Sequence, residues 1–354
     1  MAQTTRTFTP QHSKLDKIEM SAKQELTYGD VQPTADVNKH YLSLADPILA
    51  SHAPGYEGDD DEVGHGHEFP TQQYENSRDM RIETPYRLSS EVAYLFAAFG
   101  LGAAAVPTGI TNAKTHVMTP MSRATAVLAA GTGANSQLPA MTMRVKQGSL
   151  QWLVDGLCLD TFEIESKIKE IPTIKGSWIG SGRVTDDVNA FQTPAGINHL
   201  RLDNVQIGVA ASEVSQVNGI GGVTWKWNNG ILADDGYTAG SGLYRSRLKV
   251  GSKRGYEFGV KLLDSSTATE YINMLANTQL KAILTYKGVL IEGAVYHSMV
   301  IAMYGMRISA LAGSQAEGYR GNDLTFHPEA NAAGSYMDIT LINTLTARAL
   351  LMST

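Results

Sequence analysis

Apolar positions recur along this chain in two rhythms. From Glu91 to Gly100 the sequence EVAYLFAAFG sets Val92, Leu95, Phe96 and Phe99 at i, i+3, i+4 and i+7. That spacing predicts a helix over 89–100 that packs one face against a sheet. Ser89 or Ser90 can accept its first free N–H groups, Glu91 suits its positive end, and Gly100 can stop it. A second helix is expected over 267–280. Thr267-Ala268-Thr269-Glu270 has capping-box spacing, and Ile272, Leu275, Ala276 and Leu280 share a helical face.

Elsewhere the period is two. Met141 to Val145 alternates as a strand. Trp152-Leu153-Val154 and Leu157-Cys158-Leu159 flank Asp155-Gly156, which predicts a hairpin because Asp-Gly supplies the positive φ angles of a tight turn. Leu200 and Leu202 alternate in one phase and Val205, Ile207 and Val209 in the other, so a bulge is expected between them. Val223, Trp225 and Trp227 oppose Thr224, Lys226 and Asn228, and Asn228-Asn229-Gly230 then turns. Tyr256, Phe258, Val260 and Leu262 form another clean run. Ala282 to Tyr286, Gly293 to Tyr304 and Ser335 to Asn343 complete the strands.

The first 84 residues carry little period. Ser51 to Pro70 concentrates Gly, Pro, Asp and His and reads as a long exposed loop. The expected fold is mainly β with flanking helices (α+β), a β-sandwich or barrel. Its expected division is an extended arm and long loop over 1–84, a first β module over 85–190 and a second over 191–354. The shared order of elements leaves room for two tandem modules.

Composition narrows the function. With 43% hydrophobic and 18% charged residues among 354, the chain can build a core. No run approaches the ~18–20 apolar residues of a membrane helix, and the polar N-terminus lacks the apolar region of a secretory signal. The single Cys158 excludes an intramolecular disulfide and a Cys-based zinc cluster, so synthesis in a reducing cytoplasm is expected. The net charge, 29 − 35 = −6, is unlike that of a dedicated nucleic-acid binder.

Little in the sequence carries chemistry. Asp59-Asp60-Asp61-Glu62 with His65 and His67 has metal-ligand residue types, but its Gly-rich setting suits a solvated acidic loop better. Gly219-Ile220-Gly221-Gly222 precedes a strand, not a helix N-terminus, and is no phosphate loop. There is no Gly-x-Ser-x-Gly elbow. Glu163 and Glu165, followed by Lys167 and Lys169 in phase, read as a self-neutralising strand face. Trp225 and Trp227 read as core or subunit contacts ahead of a base-stacking platform. No catalytic, cofactor-binding or metal residue is assigned, and the chain reads as not an enzyme.

Four segments together resemble the bacteriophage tail tube (major tail) protein family. They are Pro85 to Val92 leading into Leu95–Gly100, His116-Val117-Met118-Thr119-Pro120, Leu200 to Ile207 followed by Val223 to Asn229, and Tyr336 to Thr344. The resemblance implies a structural virion protein that self-assembles, as homotrimeric or homohexameric rings, into a stacked hollow tube. Such a tube encloses a tape measure protein, meets tail terminator and baseplate proteins, and serves viral genome ejection by passing double-stranded DNA without binding it. It implies no cofactor and no membrane, and a place in the virion tail after synthesis in the host bacterial cytoplasm. Inter-ring contacts are expected from residues 1–40, from the loop that holds Asp59, Asp60, Asp61, Glu62, His65 and His67, and from Leu350 to Thr354. Asp155, Glu163 and Glu165 are expected to face the lumen, where acidic groups would let a duplex slide. The competing readings are a baseplate or hub ring of the same tail and a carbohydrate-binding β-sandwich using an exposed Trp225 or Trp227.

Overall fold

A computed structural model describes residues 16–345 except 22, 26–27, 32, 34–35, 45–49, 58–73, 103–107, 110–111, 121–137, 168, 210–214, 218–219, 239–241, 251–253, 263–267, 317–318, 332–333 and 335. The strands and helices run, in order, β1 (Lys17–Ser21), β2 (Val37–His40), β3 (Ala50–Glu57), β4 (Tyr74–Arg87), α1 (Ser90–Leu101), β5 (Lys114–Met118), β6 (Met141–Gln147), β7 (Leu150–Lys167), β8 (Thr173–Ile179), β9 (Val184–Asp186) and β10 (Arg201–Val209). They continue with β11 (Ser215–Gln216), β12 (Ile220–Asn228), β13 (Ile231–Leu232), β14 (Lys249–Val250), β15 (Gly255–Leu262), α2 (Ala268–Leu275), β16 (Leu280–Glu292), β17 (Val295–Ala316), β18 (Tyr319–Pro328) and β19 (Met337–Asn343). The chain is mainly β, as its period-two runs predict.

Apart from the short β13–β14 pair, the ladders sort into three antiparallel sheets that share two long strands. The first has the order β3–β4–β8–β7–β12–β15–β18–β17. The second runs β11–β10–β16–β17–β19–β5. The third, β2–β1–β6–β7–β9, uses the N-terminal half of β7. β17 serves the second sheet through Val295–Met306 and the first through Met306–Ala316. The ladders β7–β12 and β5–β19 join residues on either side of position 190.

The predicted hairpin at Asp155-Gly156 does not form. Gly156 has φ +66, but β7 continues through it as one strand of 18 residues. Up to Leu157 the strand pairs with β6 and β9; from Cys158 onward, with β8 and β12. The positive φ therefore re-aims the strand from the third sheet into the first, the role of a bulge and not of a turn. The bulge expected in β10 is present, with a register shift between Leu202 and Asn204.

α1 lies between the first and second sheets, touching β7 on one side and β5, β17 and β19 on the other. Phe96 meets Tyr86, Phe162 and Trp178 edge-on, while Tyr94 meets His116 of β5. All twelve helical residues are buried, so Val92, Leu95, Phe96 and Phe99 are packed, but the helix has no solvent face. A helix that is apolar all round belongs in an interior, and the short polar rim of Ser90 and Glu91 is satisfied locally. Ser89 is the N-cap, its hydroxyl accepting from Val92 N at 3.2 Å. The stop is Gly102, at φ +77, and not Gly100. Gly100 sits inside the helix because a Cβ there would lie 2.6 Å from the Phe162 ring.

Two further expectations are corrected. The residues read as an arm and a loop contribute strands: β1 buries Ile18 and Met20 against the core, and β3 occupies the start of the Ser51–Pro70 segment. Glu19 of β1 pairs with the buried Arg144 of β6 at 2.5 Å, which locks this strand into the third sheet. The second helix is short. Leu280 begins β16, so it cannot share a helical face with Ile272 and Leu275, which are exposed. Thr267 of the capping box lies outside the described residues.

Candidate functional site

The closest approach to a nucleophile–base pair is Ser90 Oγ and His297 Nδ1, hydrogen-bonded at 2.9 Å at the start of α1. Desolvation lowers the His297 pKa, which favours the neutral imidazole. The serine is fully buried, however, and offers no attack path. The neighbouring Glu91 carboxylate accepts from Asn198 N at 3.0 Å and from its Nδ2 at 2.7 Å, so it does not orient the imidazole. The cluster ties the helix start to β17 and to the segment before β10.

Cys158 is buried, and its burial pushes the thiol well above its ordinary range, which keeps it protonated. Among the described residues no three His, Cys, Asp or Glu side chains converge as metal ligands. Asp59, Asp60, Asp61, Glu62, His65 and His67 lie outside the described residues, as do 1–15 and 346–354. Trp225 and Trp227 are buried, Trp225 against Phe162, so neither offers a stacking surface to a sugar or a base.

The three acidic residues expected on a lumen separate. Asp155 is 1% exposed; its Oδ1 accepts from Ser181 Oγ, and Arg183 Nη1 stands 3.8 Å from Oδ2. It is an interior group because the chain re-aims at Gly156 and turns it inward. Burial pushes its carboxyl up to about 6. Glu25, beside it, is 3% exposed and accepts from Gly156 N, Gly29 N and Thr142 Oγ1. Its carboxyl is pushed up to about 7, chiefly by burial. No sequence signal marked Glu25, since its segment has no apolar period.

Glu163 and Glu165 do reach a surface, the outer face of the first sheet. Its cross-strand rows can be read from the register. Lys175 of β8, Glu163 of β7, Lys226 of β12 and Glu257 of β15 stand side by side, alternating in sign. The next row holds Thr173, Glu165, Thr224, Gly259 and Thr325. A third holds Lys167, Gly222, Lys261 and Asp323. Opposite charges on directly opposed positions attract across the strands, and like charges are kept apart. The missing side chains of Gly222 and Gly259 open a groove of about 490 Å³ between these rows. This face is neutralised strand by strand, as the Glu–Lys spacing within β7 predicts, and Lys167 meets Glu165 at 3.4 Å.

The margins of that sheet are its least satisfied part. Among the described residues β3 is one, with Ser51, His52, Ala53 and Pro54 exposed. The other is β17 beyond Met306, where β16 has ended. Residues 307–316 pair with β18 on one side and have no ladder partner on the other among the described residues. From Ile308 to Ala316 this margin reads ISALAGSQA, without a charge or a proline. Natural sheets guard open margins with those residues.

No protein-family model matches this chain, and no curated protein matches it in sequence.

Proposed function

We propose that this chain is a structural subunit that self-assembles, and specifically a phage tail tube protein whose rings stack into a hollow conduit for DNA. One observation carries the reading: among the described residues the first sheet has eight strands and two open margins. Its neighbours are antiparallel at every step, so β3 and the end of β17 run in opposite directions. A second copy rotated about an axis along the strands would then set its β3 antiparallel to the β17 margin of the first. Repetition of that step closes a ring with a continuous sheet.

The sign-alternating face suits the bore of such a ring. A duplex gains salt-sensitive affinity with each phosphate neutralised by a basic group. Here Lys175 and Lys226 are each opposed by Glu163, so little net positive charge is offered. Tape measure, terminator and baseplate proteins are the partners that this reading brings with it.

Electron microscopy of the concentrated protein tests it. Hollow filaments of constant diameter are expected. Discrete closed rings would favour the baseplate or hub reading, and a lone particle at every concentration would overturn both.

A further inference from the structure

α2 leaves an apolar face uncovered. Tyr271, Ile272 and Leu275 are 48%, 62% and 66% exposed, on one side of a helix whose Met274 packs against the core. The helix packs against β17, and just beyond it the Asn277 carbonyl accepts from Arg307 Nη1. Arg307 is the first residue of β17 past the last β16 pair, Leu280–Met306. The uncovered helix face therefore adjoins the start of the strand margin, Arg307, from which the uncharged run Ile308–Ala316 continues.

We infer that the Tyr271–Ile272–Leu275 face of α2 is a contact surface for a second copy of this chain. The inference rests on the reading that the β17 margin joins copies. The areas support it. Three side chains at these exposures leave on the order of 300 Å² of apolar surface, within the range where a patch on a monomer marks a contact. A stable interface needs about 800 Å² per partner. The patch alone falls short, and a strand margin alone supplies hydrogen bonds with little apolar burial. Covered together by one partner, each supplies what the other lacks. The complementary margin available on the described residues is β3 of another copy, which runs opposite to β17, exposes uncharged Ser51 and Ala53, and is guarded at Pro54, which has no N–H to give.

The test is sedimentation of the full chain over a wide concentration range, paired with electron microscopy, for wild type, I272D/L275D and the milder I272S. Circular dichroism and thermal melting verify the fold. We expect the double variant to melt with the wild type and to associate at least tenfold more weakly, with I272S between them. Wild-type tubes that both folded variants also form would overturn this contact and leave the tube reading standing. Wild-type rings or dimers that the variants lose would support the contact while the tube reading falls. A wild type that stays monomeric throughout would overturn both. Should the double variant not fold, I272S decides: association equal to wild type overturns the contact.

Discussion

The side-chain amide of Asn229 donates to the carbonyl oxygen of Gly100 at 2.8 Å, closing the last turn of α1 from a strand end 129 residues away. The same amide donates to Leu159 O at 2.8 Å, and Asn229 Oδ1 accepts from Trp227 Nε1 at 2.8 Å and Arg254 Nε at 2.9 Å. Asn229 is fully buried. Asn229→Ala would remove the amide donor from the Leu159 and Gly100 carbonyls, the latter keeping Arg254 Nη2 at 3.4 Å, and the acceptor from the Trp227 indole N–H and Arg254 Nε. A loss of about 3 kcal/mol is expected, since each buried group left without a partner costs about 1–3 kcal/mol. Urea denaturation measures it, and a loss under 1 kcal/mol would contradict the bridging role.

Packing around the helix predicts a second outcome. A Cβ at Gly176 of β8 would meet the Phe96 ring at 2.5 Å and Leu159 at 3.0 Å. Gly176→Ala should cost about 1–3 kcal/mol through overpacking. Phe96→Asp should abolish folding, because it places a carboxylate among Tyr86, Phe162 and Trp178. Wild-type melting of the Asp variant would show that the helix is not docked there.

The buried acids set a pH dependence. Burial raises Glu25 from 4.5 to about 7 and Asp155 from 3.8 to about 6. Each holds its proton more tightly in the folded chain than in the unfolded one. Their contribution to stability is therefore complete below about pH 4 and is lost as pH rises through 6 to 7. Glu25→Gln carries no charge at any pH and should flatten the decline between pH 5 and 8. Melting temperatures of both proteins across that window decide the matter, and parallel profiles would exclude Glu25 as the source.

The β17 margin predicts a fourth outcome. Ala310 and Ala312 are exposed. A310K/A312K adds the charges with which sheets ordinarily guard an edge. The variant should fold and stay monomeric where the wild type associates; tubes from it would exclude this margin as the seam.

Period two was a sound guide wherever one strand face is buried and the other wet. Tyr256 to Leu262 and Val223 to Trp227 alternate in burial as they alternate in sequence. The bulge in β10 was legible because a register shift reverses the apolar phase. Asp155-Gly156 misled because a positive φ serves a sheet crossing as well as a turn, and only the partners of β7 distinguish them. The far half of β17 was hidden by its composition: apart from Leu311, Ser309 to Ser314 carries small residues, and a margin with little to bury shows little alternation. α2 looked longer than it is because Leu280 fits a helical spacing, yet it is claimed by its ladder with Met306. The charged rows were half legible. Spacing placed Glu163 and Glu165 on one face, but their neighbours Lys175, Lys226 and Glu257 come from register alone.

The enclosed position of α1 bears on synthesis. Its walls include β5, at Lys114–Met118, and β19, which ends at Asn343. A nascent chain has made the helix and its aromatic neighbours Tyr86, Phe162 and Trp178 long before β19 exists, so one side of the helix stays uncovered until that strand emerges. Loss of β19 should therefore yield material with an open core that chaperones retain, instead of a shortened but folded chain.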